Sequence, residues 1–222
     1  IMDIVSKRSF KKLTLHSKAV ITTSAILLIG GTVLIRATEN ITWLGAFFTS
    51  VSARTAGFST FNLGEFTSAG LLTVTVLMFI GASPGSTGGG IKTSTVFTLF
   101  HTIRGAATNQ GPQAFHYRIP QEAFFKAASV SALSALVVCL GTFFMCILEP
   151  GLGFEDILFE ITSAFGTVGL STGITTGLCP AAKLLEIAIM FIGRLGPLTI
   201  ASIWMFKHDS SVSFPKGTIS IG

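Results

Sequence analysis

Two short strings carry the chemistry this chain offers: Thr55-Ala56-Gly57-Phe58-Ser59-Thr60 and, 112 residues later, Thr167-Val168-Gly169-Leu170-Ser171-Thr172. Each closes an apolar stretch too short to cross a membrane. A Thr-x-Gly run behind a short buried helix is a way to present a row of backbone carbonyl oxygens to a dehydrated cation. A K⁺ ion exchanges its water shell for such oxygens when successive carbonyls point the same way. Gly57 and Gly169 suit that need, because glycine reaches backbone conformations closed to residues with a Cβ and lets the backbone approach an ion. The candidate ion-binding positions are therefore Thr55, Ala56, Gly57 and Phe58 with Thr167, Val168, Gly169 and Leu170, the two threonines adding hydroxyls at the inner end. One Thr-x-Gly string is a weak signal. Two, at matched places in matched surroundings, point to ion conduction rather than to ordinary re-entrant loops.

A second unusual string, Ser83, Pro84, Gly85, Ser86, Thr87, Gly88, Gly89 and Gly90, interrupts an apolar run. Followed by Lys92-Thr93 it superficially matches a phosphate-binding loop. Ile91 separates Gly90 from the lysine, however, and no strand precedes it, which excludes that reading. A helix kink needs fewer glycines than this, so the expectation is a flexible plug beneath the carbonyl row. Arg194 lies inside a later apolar run, and a guanidinium at membrane depth faces a partner or a cavity. It is expected to meet the carbonyls and hydroxyls of the plug and to oppose cation passage, completing a gate. Lys92 is expected to snorkel to the cytoplasmic interface, and Glu160 to support the second loop by hydrogen bonds.

The elements that position these residues follow from composition. Of 222 residues, 49% are hydrophobic and 11% charged, with mean hydropathy +0.71, against roughly 25% charged in soluble domains. This is the composition of a membrane protein. Spans are predicted at 19–35, at 66–83 resuming over 91–103, at 127–148 and at 187–206. Shorter helices at 42–53 and 156–165, roughly 15 to 18 Å long, would leave by the face they came in by, and read as re-entrant pore helices. Thr42, and Asp156 behind Glu155, favour their N-termini. Non-helical backbone at membrane depth must line a cavity or be buried in protein, so the two signature loops face a pore.

Lys7, Arg8, Lys11, Lys12 and Lys18, then Arg104, Arg118 and Lys126, then Lys207 and Lys216 fall in three regions that the four crossings place on one side. The positive-inside bias makes it cytoplasmic. Topology thus explains the net charge of +5, and no stripe for nucleic acid is formed. Glu39, Glu65, Glu149, Glu155, Asp156 and Glu186 then fall on an acidic outer side. The organisation is a duplication: segment 1–17, a membrane-pore-membrane unit over 18–104, a cytoplasmic linker over 105–125, a second unit over 126–207 and a tail over 208–222. Both units begin on the same side, so the repeats are parallel. The fold expected is all-α integral membrane, with four spanning helices and two re-entrant pore helices forming half of a pseudo-fourfold, K⁺-channel-like pore. Two units supply two loops of a filter built from four, so the chain reads as part of a longer protein unless two copies assemble. Cys139, Cys146 and Cys179 have no disulfide or metal spacing and read as packing residues.

The strings Ala53-Arg54-Thr55-Ala56-Gly57-Phe58-Ser59, Gly81 to Thr93, Gly166-Thr167-Val168-Gly169-Leu170-Ser171 and Gly193-Arg194-Leu195-Gly196-Pro197-Leu198-Thr199 together resemble the membrane subunit of Ktr-type K⁺ uptake systems, of the Trk/Ktr/HKT superfamily. The resemblance covers nearly the whole chain. It implies four membrane-pore-membrane repeats around one pore, in a subunit that works as a homodimer on a cytoplasmic ring of nucleotide-binding RCK regulatory subunits. By order this chain matches the third and fourth repeats, the first and second being supplied by preceding sequence. Gly57 and Gly169 match filter glycines, 83–90 the intramembrane gating loop, and Arg194 the arginine that faces it. The closing residues 217–222 look like the family's C-terminus, and the intact second signature favours the Ktr type over the Trk type. K⁺ is then the transported ion, with no organic cofactor in this chain, no enzymatic activity and a bacterial plasma-membrane location. The competing expectation is a non-conducting scaffold subunit. A hydrolase using Ser86 or Ser171 with His101 is disfavoured, because no histidine falls at the depth of either serine.

Overall fold

The computed structural model describes residues 13–108 and 111–199; the basic positions at 7–12, and Lys207 and Lys216, lie outside them. In chain order the helices are α1 (Leu15–Thr38), α2 (Trp43–Ser52), α3 (Ser68–Phe79), α4 (Thr93–Ala107), α5 (Gln121–Leu148), α6 (Phe154–Gly166) and α7 (Pro180–Leu195). Two of them, α1 with 24 residues and α5 with 28, are long and apolar enough to cross a membrane. At 1.5 Å per residue they reach roughly 36 and 42 Å.

The second predicted span is divided as expected, α3 and α4 standing on either side of the glycine-rich string. The fourth was expected over 187–206, but α7 starts seven residues earlier and ends at Leu195. Cys179 is its N-cap, Pro180 takes the first helical turn, where its missing N–H costs nothing, and Gly196 at φ 89° stops it. Arg194 is thus in the last turn of α7; helical backbone resumes at Pro197 beyond the break, and positions 200–206 of the expected span lie outside the described residues. At the short helices, Thr42 caps α2 as anticipated, its hydroxyl accepting from the Gly45 amide at 3.1 Å. For α6 the cap is Gly153 without a side-chain bond, and Glu155 and Asp156 sit inside the first turn, where their charge meets the helix dipole.

Each pair of long and short helices is tied by a glutamate. Glu39, the C-cap of α1, accepts from both the amide (2.9 Å) and the hydroxyl (2.7 Å) of Thr67, the N-cap of α3. Glu149, the C-cap of α5, accepts from the amide of Cys179, the N-cap of α7, at 2.6 Å. A carboxylate at a helix N-terminus satisfies orphan donors and complements the dipole. These acids, expected on an acidic outer face, are structural ties; Gly70 has no Cβ because the Glu39 carboxylate fills its place.

Helix α6 lies at the centre, packed on α3, α5 and α7. Phe159 joins the apolar cluster of the first unit, with Ile35, Leu63, Val74 and Met78, while Ile157, Ile161 and Phe165 join Met145 and Ile189 of the second. The linker holds an element that the sequence did not announce, an antiparallel hairpin of β1 (Gln113–Ala114) and β2 (Tyr117–Arg118). Its turn residues Phe115 and His116 have φ of 49° and 67°, values usually taken by glycine or asparagine. Phe115 stacks on Phe97 of α4, and Lys18 of α1 lies over the rings of Phe115 and Tyr117, which fastens the hairpin to both helices.

Candidate functional site

Both signature loops leave the C-terminal end of a short helix and repeat one backbone pattern. Thr55 and Gly57 have φ of 77° and 78°; Thr167 and Gly169 have 51° and 92°. In an ordinary strand successive carbonyls alternate between faces; placing every second residue in the left-handed region turns them toward one side. The sequence anticipates this for the glycines. It gives no warning for the threonines, since a β-branched residue at positive φ is a steric outlier costing about 1 to 3 kcal/mol.

Bonds to the preceding helix hold the strained backbone. The Ala56 and Gly57 amides both donate to the Ser52 carbonyl at 3.1 Å. In the second loop the Thr167 amide donates to Ala164 at 3.0 Å and the Val168 amide to Ser163 at 2.9 Å. A serine hydroxyl clamps each loop: Ser52 Oγ donates to the Phe58 carbonyl, and Ser163 Oγ accepts from the Gly169 amide at 3.2 Å. These serines were missed as functional positions. Their signal was the Ser-Ala pair that precedes both signatures.

The structure brings the two loops face to face. A Cβ built on Gly57 would collide with the Val168 carbonyl oxygen, and one on Gly169 would come within 4.0 Å of Gly57 Cα. No side chain could stand at Gly57 without moving the opposite loop.

The glycine-rich string packs against this arrangement. It leaves α3 and returns beside it, since Ile80 and Ile91 form a parallel bridge and the Ile91 amide donates to Phe79 at 3.1 Å. Ser86 turns back on Ser83, its amide and hydroxyl both donating to that carbonyl. The far side of the string reaches the signatures: the Gly89 amide donates to Thr167 Oγ1 at 3.0 Å, and a Cβ on Gly88 would strike the Thr55 side chain. Both threonines at the base of the carbonyl rows therefore touch the string.

Among the described residues Lys92 bonds the string and Arg54 the chain just before it, and Arg194 bonds neither. Arg54, next to Thr55, donates from Nη2 to the Gly81 carbonyl at 3.1 Å. Lys92 donates to the Gly88 carbonyl, so it turns inward instead of snorkelling to the interface. Arg194 is exposed, and no hydrogen bond joins it to the string among the described residues, although it is near enough to Lys92 for their charges to repel. Arg54 and Lys92 could not be chosen from sequence, because their partners lie 27 residues away in one case and within the string in the other.

Glu160 accepts from Thr175, whose hydroxyl also bonds Ser171 Oγ at 2.8 Å, so the carboxylate braces the segment that follows the second signature. His101 bonds the Phe97 carbonyl one turn back in its own helix and touches neither Ser86 nor Ser171.

Comparison with known proteins accords with this helical arrangement. Over 86% of its length the chain superposes on the crystal structure of the potassium transporter TrkH from Vibrio parahaemolyticus, with a TM-score of 0.68 at 19% identity, covering 44% of that chain. By sequence it is 34% identical to the Ktr system potassium uptake protein B of Vibrio alginolyticus, over 97% of this chain and 50% of the relative. It is also 34% identical to the potassium/sodium uptake protein NtpJ of Enterococcus hirae, over 99% of this chain and 53% of the relative. The chain thus spans about half the length of the curated relatives it matches, all of them transport proteins rather than enzymes. The family model described as TrkH, cation transport protein, matches residues 10–216, and the chain belongs to that family.

Proposed function

We propose that this chain forms half of a K⁺-selective pore in a bacterial plasma membrane, passing the ion down its electrochemical gradient. The observation that carries this reading is the matched alternation of φ at Thr55/Gly57 and Thr167/Gly169, with the two loops packed side by side so closely that no Cβ fits at Gly57. A weak field of uncharged carbonyls suits a large monovalent cation that gives up its water at little cost. The C-termini of α2 and α6 point at the loops they precede, and each adds about half a negative charge.

In this reading the chain is two parallel membrane-pore-membrane repeats, α1-α2-α3/α4 and α5-α6-α7, and two further repeats of the same subunit complete the ring. The string from Ser83 to Gly90 is the gate, held against the filter base by Thr167 and Lys92. Arg194 supplies a positive charge on the cytoplasmic side of the gate. Homodimerisation, and control by a cytoplasmic nucleotide-binding ring docked on the linker side, complete the proposal. The names of the Ktr relatives, as parts of an uptake system, support it.

The test is Rb⁺ uptake with Na⁺ competition in cells that lack other K⁺ uptake, using the full-length protein with Gly169 or Gly169→Ser. Loss of preference for Rb⁺ with normal membrane insertion is expected. Unchanged preference would overturn the filter assignment and favour a non-conducting scaffold.

A further inference from the structure

Against the second signature loop lies a cavity of about 270 Å³ between α6, α7 and the segment 167–175. Two carboxylates line it, Glu160 of α6 and Glu186 of α7, each only 4% exposed. Glu160 spends one oxygen on Thr175, and its Oε2 is buried without a hydrogen-bond partner; Glu186 Oε1 is in the same condition. No salt bridge reaches either acid among the described residues. Lys183, the cation whose field acts on Glu186, donates its ammonium to the Thr176 carbonyl at 3.2 Å. Two buried acids facing one cavity with an orphaned oxygen apiece are costly unless something positive lies between them.

We propose that this cavity binds one small alkali cation, Na⁺, between Glu160 Oε2 and Glu186 Oε1, with the hydroxyls of Ser171 and Thr175 and water completing its shell. The donors are all hard oxygens, which suit alkali and alkaline-earth ions. Carboxylates concentrate charge more than carbonyls, and a strong field favours the smaller ion, the reverse of the preference of a carbonyl filter. A dedicated divalent site would want six or more oxygens, and the described residues contain no cluster of three His, Cys, Asp or Glu. Through Glu160 and the Thr175–Ser171 bond, an ion here stiffens the segment directly after Leu170. The site does not rest on the filter reading, since the oxygens offered to the ion are those of side chains rather than of the loop's carbonyls.

The decisive experiment is equilibrium binding of ²²Na⁺ to the purified full-length protein at saturating K⁺, with N-methyl-D-glucamine holding ionic strength. Saturable binding of one Na⁺ per chain is expected. It should weaken at least tenfold in Glu186→Gln, while Rb⁺ binding, which reports the filter and the fold, keeps its wild-type affinity in that variant; Glu160→Gln should weaken Na⁺ binding as well. The wild-type protein alone gives a second readout: Na⁺, but not N-methyl-D-glucamine, should protect Glu160 and Glu186 from a hydrophobic carbodiimide, as read by peptide mass spectrometry. Absence of saturable Na⁺ binding, wild-type Na⁺ affinity in Glu186→Gln, or carbodiimide labelling indifferent to Na⁺ would overturn the proposal; the last would indicate a proton shared by the two acids.

Discussion

The two short helices that end in the signatures are alike in sequence and unlike in surroundings. Along α6 every residue from Phe159 to Gly166 is buried, because α3, α5 and α7 enclose it. Along α2 only the small face of Gly45, Ala46, Thr49, Ser50 and Ser52 is covered, chiefly by α1, while Trp43 and Leu44 are 63% and 78% exposed and Phe47 also lies open. On α6 the corresponding flank is where α3 of the other unit packs. The difference teaches that, in the proposed repeats, a short helix such as α6 is enclosed only once a neighbouring repeat lends it a helix like α3. In the proposed pore, the bare face of α2 receives that helix from a preceding repeat.

The comparison breaks most readily at the glycines. Gly57→Ala places a Cβ on the Val168 carbonyl as well as at positive φ, whereas Gly169→Ala has the positive φ and only an ordinary contact. A left-handed alanine alone costs about 1 to 2 kcal/mol. The collision adds to that, so Gly57→Ala should lower K⁺ flux by roughly a hundredfold, equivalent to about 2.7 kcal/mol. Gly169→Ala should be near tenfold. Equal effects in an uptake assay would mean that the two loops do not oppose each other as described.

Next come the serine clamps. Ser52→Ala and Ser163→Ala each remove one hydrogen bond, about 1 kcal/mol, and should reduce Rb⁺ selectivity about fivefold without abolishing flux. If only one of them matters, the units hold their loops by different means. At the gate, Thr167→Val frees the Gly89 amide while Thr55 keeps its contact with Gly88, so maximal flux should rise about two- to threefold for a bond of this size. Removal of 85–90 should raise it further, and a fall in flux in well-folded protein would refute the plug. The smallest effects belong to the ties: Glu39→Gln loses charge assistance on two bonds and Glu149→Gln on one, so the drop in melting temperature should be larger for the first.

What could be read in the sequence was whatever is local. The repeated Thr-x-Gly, the Thr42 cap and the interruption after Ser83 all rest on neighbouring residues and appear where the string places them. The start of α7 was also local, written in Cys179-Pro180, but the polar Lys183 and Glu186 hid it behind a search for uncharged spans. Long-range partners were not legible: Arg54 with Gly81, Gly89 with Thr167, and Glu39 with Thr67 meet only because the helices cross. The positive φ of Thr55 and Thr167 was equally hidden, because tertiary bonds impose a conformation that their own chemistry resists.

The central claim is that the two loops together hold a dehydrated K⁺-sized ion. Its most direct test is a crystal of the full-length protein grown in Rb⁺ and measured at the rubidium absorption edge. The account predicts anomalous peaks on the pore side of both loops, beside the carbonyls of Thr55 to Phe58 and Thr167 to Leu170, that vanish when Na⁺ replaces Rb⁺. Rubidium bound elsewhere, with none along these carbonyls, would contradict it.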